Sequence, residues 1–334
     1  MIIRTTAYPR AALVGNPSDG YNGKTIAFTF DAFQANVVLY ETPNLELLPT
    51  RRDGSVFSSI EGLVEDVRHY GYYGGIRLIK AAIKEFHDYC TANNIELHKR
   101  NFTMQYKSTI PNLVGMSGSS AIITACFRAL MAFYGVTIPR HELANVVLRT
   151  ELTELGIAAG LQDRVVQAYE GLVYMDFAKS FLDTRGYGDY RHLDESRLPP
   201  TYIAYCTEFA EESGVFHNDL RSRFNHGDKD VVEAMRFWAD LTDRFRDALA
   251  AGDVAEMNRI IDANFDKRAS LCHLAPGLLR MVEVARSCGA SAKFTGSGGA
   301  IVGIYRDDAM FQALVEKFEP LKVRVLKPVI VREH

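Results

Sequence analysis

The sequence predicts an α+β protein built as two domains, a reading carried by three observations. Its 334 residues, 47% of them hydrophobic and 24% charged, are enough for one large or two medium-sized globular domains. Segments patterned as strands stand before and after segments patterned as helices without strict alternation, which points to mixed sheets rather than a doubly wound parallel one. A polar run, "DTRGYGDYRHLDESRLPP" (Asp183–Pro200), breaks the texture of the chain and marks the expected boundary, with one domain over residues 1–190 and the other over 191–334.

Taken in order, "TIAFTF" and "NVVLYE" cluster or alternate β-forming residues as strands do, "GGIRLIKAAIKEFHDYCTANN" repeats its apolar residues at helical spacing, and "NFTMQYKSTIP" alternates again. The stretch "PNLVGMSGSSAIITACFRAL" (Pro111–Leu130) packs glycines and serines into a corner and then turns apolar, so it predicts a loop followed by a helix from about Ser119 to Tyr134. Beyond the polar run, "TYIAYCTEF" reads as a strand, "KDVVEAMRFWADLTDRFRDALAAG" and "VAEMNRIIDANFDKRASL" as amphipathic helices, and "GLLRMVEVARSCG" as a helix closed by Gly289. "AKFTGSGGAIVGIYR", a helix over Asp307–Phe318 and "VRVLKPVIV" form a strand–helix–strand ending.

Charge and cysteine content narrow the function classes. A net charge of −3 leaves no basic excess for a nucleic acid or an anionic membrane, so the expected partner is a small molecule. Cys90, Cys126, Cys206, Cys272 and Cys288 are odd in number, widely spaced and free of any C-x-x-C, which argues against a disulfide framework or a zinc site. "MIIRTTAYPRAALVG" lacks the apolar run of a signal peptide and no window approaches a membrane span, so a cytoplasmic protein is expected. The oligomeric state is left open.

The corner at Pro111–Ala121 has a physical reading of its own. Gly115, Ser117, Gly118, Ser119 and Ser120 give a backbone without bulk, and the following helix points its N-terminal amides and positive dipole end at the loop. Such a corner suits a phosphate, with hydroxyls able to reach its oxygens or a magnesium ion; serines that merely cap a helix are the alternative. No G-K-[ST] follows, so this is not a Walker loop. Two further stretches invite a site. In "GYYGG", Tyr72 and Tyr73 between glycines offer flat apolar faces for a sugar or a base, or else form a turn packed on a sheet. In "GIAAGLQDRVV", Asp163 opens a helical run and reads as a helix N-cap or as a site carboxylate.

In order and spacing, three stretches resemble the GHMP kinases, the family that includes galactokinase, homoserine kinase, mevalonate kinase and phosphomevalonate kinase. Pro111, Gly115, Met116, Ser117, Ser119, Ser120 and Ala121 resemble the family's phosphate loop, P-x-x-x-G-L-[GS]-S-S-A, with Gly118 in place of its first serine. "PRAALVGNPSDGYNGKT", with Arg10, Gly15 and Asp19, is similar to the first family motif, and "KFTGSGGA" (Lys293–Ala300) to the third, a glycine-rich turn beside the phosphate loop. The wording of "GNPSDGYNGKTIAFTF", "GYYGGIRLIKAAIKEF", "GIAAGLQDRVVQAYEGLVYMDF" and "KFTGSGGAIV" is most similar to the glucuronokinases, which phosphorylate D-glucuronate at its anomeric oxygen.

The resemblance implies a GHMP kinase fold, with a ribosomal-S5-domain-2-like N-terminal domain and a ferredoxin-like C-terminal domain, and a reaction between ATP and a sugar acid with magnesium. It implies Asp163 as catalytic base with Arg10 as its basic partner, and Ser120 with a glutamate as metal ligands. Glu151 and Glu154 lie one helical turn apart, so either could point at the site, and the resemblance favours Glu151, whose distance ahead of Asp163 is closest to that in galactokinases. Asp19, Gly20 and Tyr21 in the first motif, Tyr72 and Tyr73, and Gly296 and Ser297 in the third are the expected substrate contacts. A uronate carboxylate needs a cation, and Lys24, Arg77, Arg164, Arg221 and Arg223 are candidates that the sequence does not rank. The competing readings are a kinase of this fold acting on galactose, arabinose, a heptose or a mevalonate-type alcohol, and a sensor that binds ATP or sugar without turnover.

Overall fold

The computed structural model describes residues 1–50, 53, 74–208 and 220–331, which divide into two compact units. The first comprises residues 1–9, 33–112 and 117–159; the second comprises residues 10–32, 113–116 and 160 onward.

In the first unit, strand Ala35–Thr42 pairs antiparallel with Ile2–Ala7 on one side and with Asn101–Ser108 on the other, and Glu46–Leu48 adds to the far edge in parallel. The alternation that predicts Ala35–Thr42 is realised in its burial: Ala35, Val37 and Leu39 are enclosed while Asn36, Val38 and Tyr40 are less so. Helix Gly118–Tyr134 packs on Ile2–Ala7 and Ala35–Thr42. It buries residues on nearly every side, from Ala121 through Phe127 to Phe133, which is why its sequence is apolar throughout instead of striped. Thr5 Oγ1 donates to the Ala125 carbonyl at 2.6 Å and Arg128 to that of Thr6 at 2.6 Å, fixing the helix against the edge strand. Gly135, left-handed at φ 69°, closes it. Helices Gly75–Ala92 and Arg140–Arg149 pack against the same helix, and Arg140–Arg149 runs into a π-helical turn, Thr150–Glu154.

The second unit holds two four-stranded antiparallel sheets. One runs Arg10–Val14, Lys24–Thr29, Leu172–Asp176, Asp189–His192; the other runs Lys293–Phe294, Ala300–Ile304, Thr201–Tyr205, Arg324–Leu326. Tyr202, Phe294, Ile301, Leu278, Met281 and Phe318 anchor the core between the second sheet and its helices. Trp238, fully buried on helix Lys229–Ala251, donates to the Asn264 carbonyl on helix Val254–Leu271. Asn264 in turn accepts from Gly15 N at 2.7 Å and donates to the Asn16 carbonyl at 3.2 Å, so it tethers the turn after the first strand. At Gly15, with φ 93°, a Cβ would lie 2.2 Å from the Lys24 carbonyl oxygen, and only glycine fits.

The compact units do not part at residue 190. The run Asp183–Pro200 carries a helix end, strand Asp189–His192 and a short 3-10 turn, because that strand completes a ladder with Leu172–Asp176. The long-range pairing of Lys24–Thr29 with Leu172–Asp176 likewise draws residues 10–32 into the second unit. "AKFTGSGGAIVGIYR" forms two short strands around its glycine turn, and "VRVLKPVIV" shrinks to Arg324–Leu326 because Pro328 has no N–H to give a ladder. All five cysteines are free thiols. No helix among the described residues is long and apolar enough to cross a membrane.

Candidate active site

Two groups of predicted residues come together, one in each unit. In the second unit, Arg10 lies on a strand buried along its whole length and turns its guanidinium onto Asp163. Nε donates to Oδ1 at 2.5 Å and Nη2 to Oδ2 at 2.9 Å, a fork that fixes both planes. The remaining nitrogen, Nη1, donates to the carbonyls of Gly115 (2.5 Å) and Thr295 (3.0 Å). Asp163 is the third residue of helix Leu161–Tyr169, whose N-cap position is Gly160. It is therefore not the helix cap, and the positive end of that helix supports its charge. Gln162 Nε2 adds a donor to Oδ1 at 3.2 Å, and Arg164 Nη1, which donates to the Gly160 carbonyl, lies 3.4 Å from Oδ2.

Asp19, in the 3-10 turn Ser18–Tyr21, belongs to the same cluster. Although the residue retains some exposed surface, lost hydration, and then the neighbouring Asp163 carboxylate, push its carboxyl up to about 7; Arg10 and Arg164 oppose that rise. The absence of a side chain at Gly160 makes room for it, since a Cβ there would lie 2.7 Å from Asp19 Oδ2.

Gly296 and Ser297 support this cluster through the backbone. A Cβ on Gly296 would stand 2.9 and 3.0 Å from the Arg10 Nη atoms and 2.5 Å from the Gly115 carbonyl oxygen. Arg268 pins the turn by donating to the carbonyls of Gly296 (2.8 Å) and Ser297 (2.6 Å) while lying over the Phe294 ring. Gly115 makes a similar close approach, with a Cβ only 2.8 Å from the Gly298 carbonyl oxygen. Lys293, fully enclosed, donates to the carbonyls of Ala12 and Phe294, and burial, with the nearby Arg268 and Arg10 charges, drives its ammonium well below the usual lysine range.

Along the corner itself, Leu113, Gly115 and Ser117 are all left-handed, at φ 56°, 68° and 60°. Left-handed backbone at two non-glycine residues is uncommon and gathers at ligand-binding turns. Helix Gly118–Tyr134 begins immediately after, and its first amides lack intrahelical acceptors. Pro111 and Gly118 are half-buried, and Met116 and Ala121 are buried.

In the first unit, Ser119 Oγ donates to Glu151 Oε1 at 2.7 Å. Glu151 is fully buried in the π-helical turn, whereas Glu154 of that turn pairs with Lys84 at 2.9 Å. Glu151 is thus the acid that touches the serine corner. The serine it meets is Ser119, not Ser120: Ser120 is fully enclosed and gives its hydroxyl to the Ser117 carbonyl at 3.2 Å. Tyr72 and Tyr73 lie outside the described residues. Sequence reasoning missed Arg268, Thr295 and Gln162; Arg268 in particular reads as an ordinary last-turn helix cation, with no local signal of its reach to the glycine turn.

Comparison with known proteins bears on the whole chain. The model of the GHMP kinases N terminal domain matches residues 77–171, and that of the GHMP kinases C terminal matches residues 245–320. The chain is 43% identical over 304 residues to the probable glucuronokinase 2 of Arabidopsis thaliana, covering 89% of this chain and 82% of that protein. It is 41% identical over 310 residues to glucuronokinase 1 of the same organism, covering 90% and 84%. Its fold matches the crystal structure of Lactococcus lactis galactokinase complexed with galactose at a TM-score of 0.78 and 15% identity, covering 98% of this chain and 93% of the other. With relatives at 43% and 41% identity aligned over about nine-tenths of its length and both domain models of the family matching, this chain belongs to the GHMP kinases.

Proposed function

We propose that this protein is an ATP-dependent sugar-1-kinase that transfers the γ-phosphoryl group to the anomeric hydroxyl of D-glucuronate, giving glucuronate 1-phosphate and ADP. Likeness to two glucuronokinases at above 40% identity supports the substrate. The observation that carries the chemistry is the two-bond grip of Arg10 on Asp163.

Phosphoryl transfer asks a protein mainly to position two reactants and neutralise charge. Asp163 accepts the anomeric proton as the sugar oxygen bonds to the γ-phosphorus and the bond to the bridging oxygen of ADP breaks. An anomeric hydroxyl is more acidic than an ordinary alcohol, so a carboxylate suffices as base. Arg10 orients that carboxylate and steadies the oxyanion that develops beside it. Asp19, Gly20 and Tyr21 contact the sugar, while Gly296 and Ser297 act at one remove by seating Arg10 and the loop. The corner Pro111–Ala121 takes the ATP phosphates on backbone amides.

A serine hydroxyl touching a buried carboxylate is a hard oxygen donor set, which suits magnesium. Glu151 and Ser119 would hold Mg2+, in place of the expected Ser120. When bound, magnesium neutralises charge on the phosphoryl oxygens.

The test is ATP consumption over a panel of free sugars and uronates. Glucuronate should exceed glucose by at least ~100-fold in kcat/KM, because a site built for a carboxylate leaves its cation unpaired without one. Equal turnover of the two refutes the uronate and leaves the kinase; no ATP consumption with any sugar refutes the kinase.

A further inference from the structure

We propose that Arg221 receives the carboxylate of the sugar acid and sets the preference for a uronate over a neutral sugar. This rests on the uronate reading above and names the residue behind it.

Of the basic residues able to serve, most are already engaged. Lys24 Nζ lies 2.6 Å from Asp243 Oδ2 and 3.7 Å from Asp176. Arg164 is held by the Gly160 carbonyl and Asp163. Arg223 pairs with Asp228 at 2.9 Å and donates to the Leu271 carbonyl. Arg77 donates to the Leu155 carbonyl and belongs to the other unit. Arg221, exposed on the helical segment 220–225, forms no ion pair among the described residues.

Its position then decides. The Arg221 guanidinium lies 5.7 Å from the centroid of the Tyr21 ring, and its Nη2 would be 3.6 Å from a Cβ on Gly20. The Tyr21 ring also packs on Phe224, with centroids 4.7 Å apart. The turn Ser18–Tyr21 therefore carries Asp19 of the Arg10–Asp163 cluster at one end and an aromatic pair with an arginine at the other. A pyranuronate offers a matching pair of groups: its anomeric hydroxyl and its carboxylate stand on the two carbons that flank the ring oxygen, close enough for one short turn to serve both. With the hydroxyl at Asp163, the ring passes over Gly20, where no side chain stands between, and its apolar face meets Tyr21. The carboxylate arrives at a planar fork of donors that forms no ion pair among the described residues.

The experiment compares glucuronate and glucose kinetics at saturating ATP in wild type, Arg221→Met and Arg221→Lys. Methionine keeps the length and the contact with Tyr21 but removes the charge. It should raise KM for glucuronate by about 10- to 100-fold, the worth of a charge-assisted hydrogen-bonded pair, with kcat and the glucose kcat/KM little changed. Lysine should restore part of the loss, and Arg221→Gln replaces the methionine variant should that fail to fold. A wild type that prefers glucuronate while Arg221→Met, or Arg221→Gln, keeps the full ratio overturns the role of Arg221 and spares the substrate. A wild type without preference overturns the uronate reading and this inference with it.

Discussion

Arg10 and Asp163, 153 residues apart in the chain, share two parallel hydrogen bonds, and the third guanidinium nitrogen is spent on the carbonyls of Gly115 and Thr295. One side chain thus ties Asp163, the Gly115 carbonyl and the Thr295 carbonyl of the glycine-rich turn together.

Asp163→Asn keeps the side chain's size and removes its charge and its proton affinity. Arg10 retains its two carbonyl acceptors, so the protein should fold with a lowered Tm, a buried guanidinium having lost its counter-charge. The rate should fall by about 100- to 10,000-fold in kcat, with nucleotide Kd little changed. Because Gly160 occupies the cap position, loss of a helix cap cannot account for such a fall. Measuring kcat, nucleotide Kd and Tm on one preparation checks this; a loss under about tenfold would remove Asp163 as base and leave charge stabilisation to do the work.

The two serines of the corner should separate in their response to magnesium. Ser119→Ala takes away the hydroxyl that touches Glu151, so the magnesium concentration for half-maximal rate should rise and kcat should fall. Ser120→Ala removes only a buried bond to the Ser117 carbonyl and should cost about 1 kcal/mol of stability with unchanged magnesium dependence. The opposite pattern in a magnesium titration would return the ligand role to Ser120.

That distinction shows where sequence reading reaches its limit. Strands such as Ala35–Thr42 and helices such as Lys229–Ala251 announce themselves by period, because one face of each must be buried. The glycine- and serine-rich corner before helix Gly118–Tyr134 announces itself by composition, since few backbones need so many small residues before a helix. Adjacent residues on a helix, however, point about 100° apart, so a pattern that marks Ser119 and Ser120 together does not say which one meets Glu151. Residue type alone could not place Arg268 on the Gly296 and Ser297 carbonyls, nor pair Lys24–Thr29 with Leu172–Asp176 and so move the unit boundary. These are contacts between distant segments, and nothing local in the chain encodes them.

Asp19 should give stability a particular pH dependence. Its carboxyl is raised to about 7 by lost hydration and by Asp163, so between the ordinary aspartate value and 7 the folded protein holds a proton that the unfolded chain has released. Stability from this group is therefore fully present at low pH and is lost as pH rises through about 7. Asp19→Asn, which cannot ionise, should lose that component: the drop in Tm of the unliganded protein between pH 5.5 and pH 8 should shrink, and the variant should melt above wild type at pH 8. Parallel Tm profiles for the two proteins over this range would show that Asp19 is ordinarily ionised.

Gly296 is the position at which an action of the glycine-rich turn through Arg10 should show itself. A Cβ on Gly296 would meet both Arg10 Nη atoms at 2.9 and 3.0 Å and the Gly115 carbonyl oxygen at 2.5 Å, contacts that require the guanidinium or the loop to shift. Gly296→Ala should therefore turn the fork away from Asp163 and loosen the corner at once, at an overpacking cost of about 1–3 kcal/mol. A misplaced base lowers kcat far more than it lowers stability, so kcat should drop by at least ~100-fold while Tm falls by only several degrees. Gly186→Ala supplies the comparison: that glycine is left-handed at φ 77° with nothing within 4 Å of its Cβ position, so alanine there costs backbone strain and touches no site group. It should lower Tm while leaving kcat near wild type. If Gly296→Ala also kept its kcat, Arg10 would have an alternative seat and the turn would be mere scaffolding; a loss of rate in Gly296→Ala alone ties the third motif to the base through one arginine.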